Sequence, residues 1–262
     1  MTTPIAQARI AAAVAPLQRE ARVSAMQSSQ LLAGHTIALL ERQGDWWRVA
    51  GRDAYEGWMH TGYIEHRSDA EATWGVSLGA TVSLDGVGHV ALPVGARVAP
   101  NARIIEGKVV DAGAAPTMFP AIGSTVVQSA QAYFSGASYQ WGGGTPWGCD
   151  CSGLVQSVFR LHGHELPRDA WQQAECGDAL AVVSLRDAGA AELLEAGDLL
   201  FFSDRDDRHV THVGIVATDF HMLHSGLARG GVRNEALRSR DDYVERLCRN
   251  FTSARRVLSR VV

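Results

Sequence analysis

A thiol at position 151 and imidazoles at 212 and 224 are the side chains whose types and settings suit nucleophilic chemistry. Cys151 lies in YQWGGGTPWGCDCSGLVQSVF, Tyr139 to Phe159. A Gly- and Pro-rich loop there ends at Asp150, a good N-cap type, and a helix is predicted to begin at Cys151. That places the thiol in a first turn, where unpaired backbone N–H groups and the helix dipole favour an anion. The expectation is a thiolate with its pKa well below the ~8.5 of free cysteine. The same N–H groups can serve as oxyanion donors, each worth roughly 3–4 kcal/mol when aimed correctly. The competing reading is a small buried hydrophobe, the commoner fate of a free cysteine.

A base is needed next, and RHVTHVGIVATDFHMLHSG supplies histidines at 209, 212, 221 and 224. Side chains alternate along a strand, so His209 and His212 face opposite ways, as do His221 and His224. Neither pair is a metal clamp on one strand. If Val213 to Val216 forms a strand that turns at Thr218-Asp219 and returns as Met222 to Ser225, His212 and His224 lie side by side across a hairpin. His224 then orients the His212 ring, as the third member of a triad does. His209 and His221 read as surface residues. Glycines 142–144 form a turn rather than a phosphate loop, since no Gly-Lys-Ser/Thr follows.

These residues need elements to hold them. Val126, Val127, Ala130 and Phe134 fall at helical spacing, as do Leu154, Val155, Val158 and Phe159, with Gly163 ending the second helix. Leu199 to Phe202, Val213 to Val216 and Met222-Leu223 read as strands. Helices first and consecutive strands afterwards predict an α+β domain. Ala112 to Pro116 reads as the joint before it. Residues 1 to about 67 carry short apolar runs cut by turns such as Gln43-Gly44-Asp45, which predicts a small barrel. Trp46, Trp47 and Trp58 belong to its core or an interface. From 70 to 117, LPVGARVAP echoes LLAGHTIAL with glycine at the matching place, either as an eroded second copy or as a β-rich linker.

Over about Ser124 to Val262 the chain resembles the NlpC/P60 family. The matching stretches are Tyr139-Gln-Trp-Gly-Gly, Asp150-Cys-Ser-Gly-Leu, Leu166-Pro-Arg-Asp, Gln172 or Gln173, Gly197-Asp-Leu-Leu-Phe-Phe, His212-Val-Gly-Ile-Val and His224-Ser-Gly. The first segment is similar to bacterial SH3-like (SH3b) domains through LLAGHTIALLERQGDWWRVA and YEGWMHTGYIE. The resemblance implies a papain-like α+β catalytic domain at 118–262, preceded by an SH3b domain at 1–67 and a second, degenerate SH3b-like domain at 68–117. It implies Cys151 as nucleophile, His212 as base and His224 as the orienting residue, with no metal or organic cofactor. The SH3b-first order looks like the branch that trims murein peptides in the cytoplasm. This implies cleavage between γ-D-glutamate and the diamino acid of L-Ala-γ-D-Glu-diaminopimelate, with a requirement for a free amino-terminal L-alanine. Tyr139, Asp150, Ser152 and Asp169 then line the site, Asp169 meeting the substrate ammonium alongside Asp150. Glu20 and Tyr63 are the candidates for contributions from the first domain. Ala170 departs from the serine of many relatives, and Cys149 from a usual apolar or aromatic residue.

Composition sets the outer limits. The 262 residues are 46% hydrophobic and 20% charged with a net charge of −4, which offers nucleic acid no basic face. No run approaches the roughly 20 apolar residues of a membrane span. Met1-Thr2-Thr3-Pro4 opens no signal-peptide pattern, so the expected location is cytoplasmic. Four cysteines with no C-x-x-C pair form neither a disulfide framework nor a zinc site. Three readings compete with the peptidase. They are a wall-binding protein with a dead domain, an amidase or acyltransferase using the same dyad, and an extracellular wall hydrolase.

Overall fold

Strands Val14–Gln18, Trp46–Ala50 and Glu56–His60 bury every second side chain, the period of a half-buried strand. The computed structural model describes residues 3–67, 74–84 and 88–258. It groups into two units, Met1–Met118 with Trp141–Gly144, and Phe119–Gln140 with Thr145–Val262.

The first unit opens with β1 (Ala6–Ile10), β2 (Val14–Gln18), β3 (Gln27–Leu32), β4 (Thr36–Gln43), β5 (Trp46–Ala50), β6 (Glu56–His60) and β7 (Ile64–Glu65). They form one sheet in the order β3-β2-β6-β5-β4-β1-β7, closed around Ile10, Leu17, Ile37, Leu39, Val49 and Met59. Trp47 joins this core, while Trp46 and Trp58 are half-buried. Between β4 and β5 the turn uses Gly44 at φ 58°.

Next come β8 (Gly75–Ser77), β9 (Ala80–Leu84), β10 (Gly88–Leu92), β11 (Arg97–Val98), β12 (Arg103–Glu106) and β13 (Val109–Val110), in two three-stranded sheets, β10-β9-β12 and β11-β8-β13. The start of the stretch expected as a second copy, residues 68–73, lies outside the described residues. Its echo of the first segment has a structural counterpart. Gly34 and Gly95 both turn with positive φ, at 73° and 90°. Leu32 and Ala33 share a core with Val82, Leu92, Ala96 and Val98. A Cβ on Gly34 would stand 2.7 Å from Cβ of Arg97, so this turn requires glycine twice over. Trp141–Gly144 groups with this unit, with Gln27 Nε2 donating to the Trp141 carbonyl at 3.0 Å.

Where the joint was expected, one helical turn forms, α1 (Ala115–Met118). The second unit then builds α2 (Gly123–Phe134), the short pair β14 (Gly144–Thr145) and β15 (Gly148–Cys149), α3 (Cys151–Leu161) and α4 (Ala170–Gln173). After them come β16 (Asp178–Ala179), α5 (Ala190–Leu193), β17 (Leu199–Phe202), β18 (His212–Ala217), β19 (His221–Gly226), β20 (Gly231–Ala236), α6 (Asp242–Arg249) and β21 (Phe251–Arg256). Six strands form an antiparallel sheet in the order β16-β21-β17-β18-β19-β20.

Both faces of that sheet are covered, which is why Leu199-Leu200-Phe201-Phe202 is apolar without a break. Leu199 and Phe201 meet α2 and α3 through Val126, Phe134, Leu154 and Phe159. Leu200 and Phe202 meet Val244, Leu247 and Phe251 on the other side. A helices-then-sheet α+β domain follows, as the periodicities predict. The hairpin turn is a 3-10 turn, Thr218–Phe220, with Asp219 at φ 56°.

Candidate active site

Helix α3 starts at Cys151 because Asp150 caps it, the carboxylate accepting from Gly153 N–H at 2.7 Å. Asp150 is buried, and an unpaired carboxylate there would be costly. Arg168, also buried, supplies a fork: Nη2 donates to Oδ2 at 2.8 Å and Nη1 to Oδ1 at 3.1 Å. Arg168 also donates to Ser152 Oγ at 2.9 Å. Gln173, fully buried, bonds the carbonyls of Ser152 and Pro167. The first turn of α3 is therefore tied from several sides to the Leu166–Asp169 loop.

Asp150, expected with Asp169 at a substrate ammonium, is paired with Arg168 and caps the helix through one oxygen. Asp169 is half-buried and caps α4 through the N–H of Gln172. Arg168 stands inside Leu166-Pro-Arg-Asp and was given no part. Nothing local in the sequence marks it as the partner of Asp150.

His212 opens β18, and His224 lies on β19 with no solvent exposure. Their register, Ile215 opposite Leu223 and Val216 opposite Met222, brings the two rings together. Nε2 of His212 and Nδ1 of His224 stand 2.8 Å apart, with the rings nearly perpendicular. Glycines make room: a Cβ on Gly226 would lie 2.9 Å from both His224 Cε1 and the Tyr243 hydroxyl. A Cβ on Gly214 would press on Met222 at 2.5 Å and His224 at 3.2 Å. His209 is exposed, and its ring lies 5.9 Å from Trp171. His221 is half-buried, bonded to the Asp219 carbonyl.

Cys151 is buried, and its sulfur meets the backbone N–H groups of Val213 and Ser152, which places it beside the start of β18. Burial, helped by the Asp150 charge, pushes the thiol up to about 12 against those N–H groups. Burial first, then His224, brings His212 down to about 3. Desolvation thus works against the low-pKa thiolate that the helix start favours, and toward a thiol beside a neutral imidazole.

Tyr139 is half-buried, its phenol raised by burial and by proximity to Cys151 and Asp150. Ser152 is buried on the Arg168–Asp150 pair, its hydroxyl 3.4 Å from Asp150 Oδ1. Cys149 is buried, and Ser225 Oγ donates to its carbonyl at 2.7 Å. In the first unit, Glu20 is exposed and bonded to Arg22 at 2.9 Å. Tyr63 lies in a 3-10 turn, Thr61–Tyr63, against the barrel core. Among the described residues, no group of His, Cys, Asp and Glu is arranged to hold a metal ion. Among the same residues, no helix is long and apolar enough to cross a membrane.

The NlpC/P60 family profile matches residues 136–250, and the bacterial SH3 domain profile matches residues 19–65. The chain is 38% identical over 95 residues to a gamma-D-glutamyl-L-lysine dipeptidyl-peptidase of Bacillus subtilis (strain 168), covering 36% of this chain and 29% of that protein. It is 34% identical over 128 residues to the murein DD-endopeptidase/murein LD-carboxypeptidase of Escherichia coli (strain K12), covering 48% and 59%. This chain thus spans less than two thirds of either relative. An NlpC/P60 family protein from Bacillus cereus ATCC 10987 has the same fold, with a TM-score of 0.78 at 20% identity over 97% of this chain and all of that one. The chain therefore joins a bacterial SH3 domain to an NlpC/P60 domain of α+β fold.

Proposed function

We propose that the second unit is a cysteine peptidase acting on murein peptides, with Cys151 as nucleophile, His212 as base and His224 as the residue that orients it. The observation that carries this reading is the His212–His224 contact at 2.8 Å on strands adjoining a capped helix that begins with Cys151. His212 takes the thiol proton as sulfur attacks the carbonyl carbon, forming the C–S bond and an oxyanion near the Cys151 N–H. The imidazolium returns that proton to the leaving amine as the C–N bond breaks. Neutral His212 then draws a proton from water, which hydrolyses the thioester.

The bond we propose is γ-D-glutamyl–diamino acid, in peptides with a free amino-terminal L-alanine. Similarity to the Bacillus protein named for a γ-D-glutamyl bond supports it. Asp169 is the carboxylate we assign to the substrate ammonium, with Tyr139 and Ser152 lining the site. A free-amine requirement restricts the substrate to released peptides, which fits recycling in the cytoplasm. The competing reading is another murein bond, favoured by comparable identity to the Escherichia coli relative.

The test is a mass-spectrometric digest of L-Ala-γ-D-Glu-diaminopimelate beside its N-acetylated form, with wild type and Cys151→Ala. Release of L-Ala-D-Glu from the free peptide alone, by wild type alone, is expected. Equal cleavage of both peptides overturns the amine requirement. No cleavage of either sends the question to other murein bonds and to the altered-reaction and binding-protein readings.

A further inference from the structure

The arrangement of Cys151, His212 and His224 leaves one buried ring atom without a hydrogen-bond partner, Nε2 of His224. A neutral imidazole has one N–H and one lone pair. With Nδ1 of His224 engaged by His212, the state of Nε2 decides which ring donates across that contact. Facing Nε2 at 3.9 Å is Oε1 of Glu235, on β20 opposite Met222 and so on the face of His224.

Glu235 is held there by more than chance packing. Arg229 donates through Nε to Oε1 at 2.7 Å and through Nη2 to Oε2 at 3.3 Å. Arg229 is fixed in turn by Asp241 at 2.7 Å and lies 4.5 Å above the Tyr243 ring. The Tyr243 ring stacks on His224, with centroids 5.9 Å apart and planes at 20°.

We propose that Glu235 is a positioning residue whose carboxylate keeps the His224 proton on Nε2. His224 Nδ1 then accepts from His212 Nε2–H, and His212 Nδ1 keeps its lone pair for the Cys151 proton. The opposite tautomer of His224 would donate from Nδ1, put the His212 proton on Nδ1 and disable the base. At 3.9 Å the carboxylate acts through its charge, offset in part by the Arg229 guanidinium that bonds both its oxygens. His224 and Arg229 hold the Glu235 carboxyl below its usual range despite burial, so the charge persists at neutral pH. The charged or titratable groups around His224 are His212 from β18, Arg233 directly opposite it and Glu235 from β20, Arg229 from the turn before that strand, and Asp241 and Tyr243 at the start of α6. Arg246 lies 5.6 Å from the Tyr243 ring.

The inference rests on the peptidase reading, and its test separates the two. Imidazole 15N spectra of wild type, Glu235→Ala, Glu235→Gln and Glu235→Asp report the His224 tautomer without any substrate. The same proteins are assayed on L-Ala-γ-D-Glu-diaminopimelate across pH. Wild type is expected to show His224 protonated at Nε2, and Glu235→Ala to shift population to Nδ1–H. Its kcat should fall by about tenfold or more while KM stays within about twofold. Glu235→Asp should restore part of both readouts. Glu235→Gln keeps an oxygen for Arg229 but lacks the charge, and serves if the alanine variant unfolds. An unchanged His224 tautomer in the folded alanine or glutamine variant overturns the proposal. If wild type leaves this peptide intact, the γ-D-glutamyl reading fails while the tautomer shift still decides the role of Glu235.

Discussion

A cysteine at a helix start is normally read as an activated thiolate, yet Cys151 sits under a heavier constraint. Burial raises its thiol to about 12 and lowers His212 to about 3, which favours the uncharged thiol and imidazole over the ion pair before substrate arrives. The sign has a direct consequence for alkylation by iodoacetamide, which needs thiolate. The Cys151 rate, followed by peptide mapping, should climb steadily with pH through and above about 8, without a plateau between about pH 5 and 8. Such a plateau would show a preformed thiolate–imidazolium pair and overturn this account. His224 is tested separately, because its ring touches the base rather than the thiol. His224→Ala should lower kcat by about a hundredfold, with Cys151 still reacting at high pH. Unchanged kcat would remove His224 from the machinery.

At the scale of elements, the start of α3 and the β18–β19 hairpin are what turn three side chains into a site. Much of this was legible in the residues. The helical spacing of Leu154, Val155, Val158 and Phe159 marks the buried face of α3. Alternation plus a short turn was enough to pair His212 with His224. Long-range charge partners were not legible, since nothing local says that Arg168 will reach Asp150 or that Glu235 will approach His224. The opposing pull on the thiol was hidden for a related reason: the dipole can be read from a helix start, but the depth of burial cannot. The Arg168–Asp150 pair has its own test. Arg168→Met strands a buried carboxylate at the cap of α3 and should cost about 3–5 kcal/mol in chemical denaturation. Loss of under about 1 kcal/mol, the range of an exposed pair, would mean that water reaches Asp150. Gly226→Ala acts on the other element by pressing a methyl group on His224 and Tyr243, and should reduce kcat with KM little changed.

At the scale of the whole molecule, the fold does not choose the bond. One α+β scaffold is shared at 20% sequence identity. Two relatives, matched at 38% and 34% over part of their length, carry different names, one a gamma-D-glutamyl-L-lysine dipeptidyl-peptidase and one a murein DD-endopeptidase/LD-carboxypeptidase. A fold by itself does not select a substrate, so the choice proposed for this chain rests on side chains. Asp169, in the Leu166–Asp169 loop tied to the first turn of α3, is the carboxylate proposed to meet the peptide amine. An N-acetylated peptide brings no cation to that carboxylate, and desolvating it without a partner is penalised. The N-acetyl form of L-Ala-γ-D-Glu-diaminopimelate should therefore have a kcat/KM lower by about a hundredfold or more. Asp169→Asn should narrow that gap from one side only, raising KM for the free peptide and leaving the acetylated one nearly unchanged. Because Asp169 also caps α4, Asp169→Ser is the control: it keeps a capping oxygen without the charge and should behave as the asparagine variant does. If both variants keep full preference for the free amine, recognition of that amine belongs to residues other than Asp169.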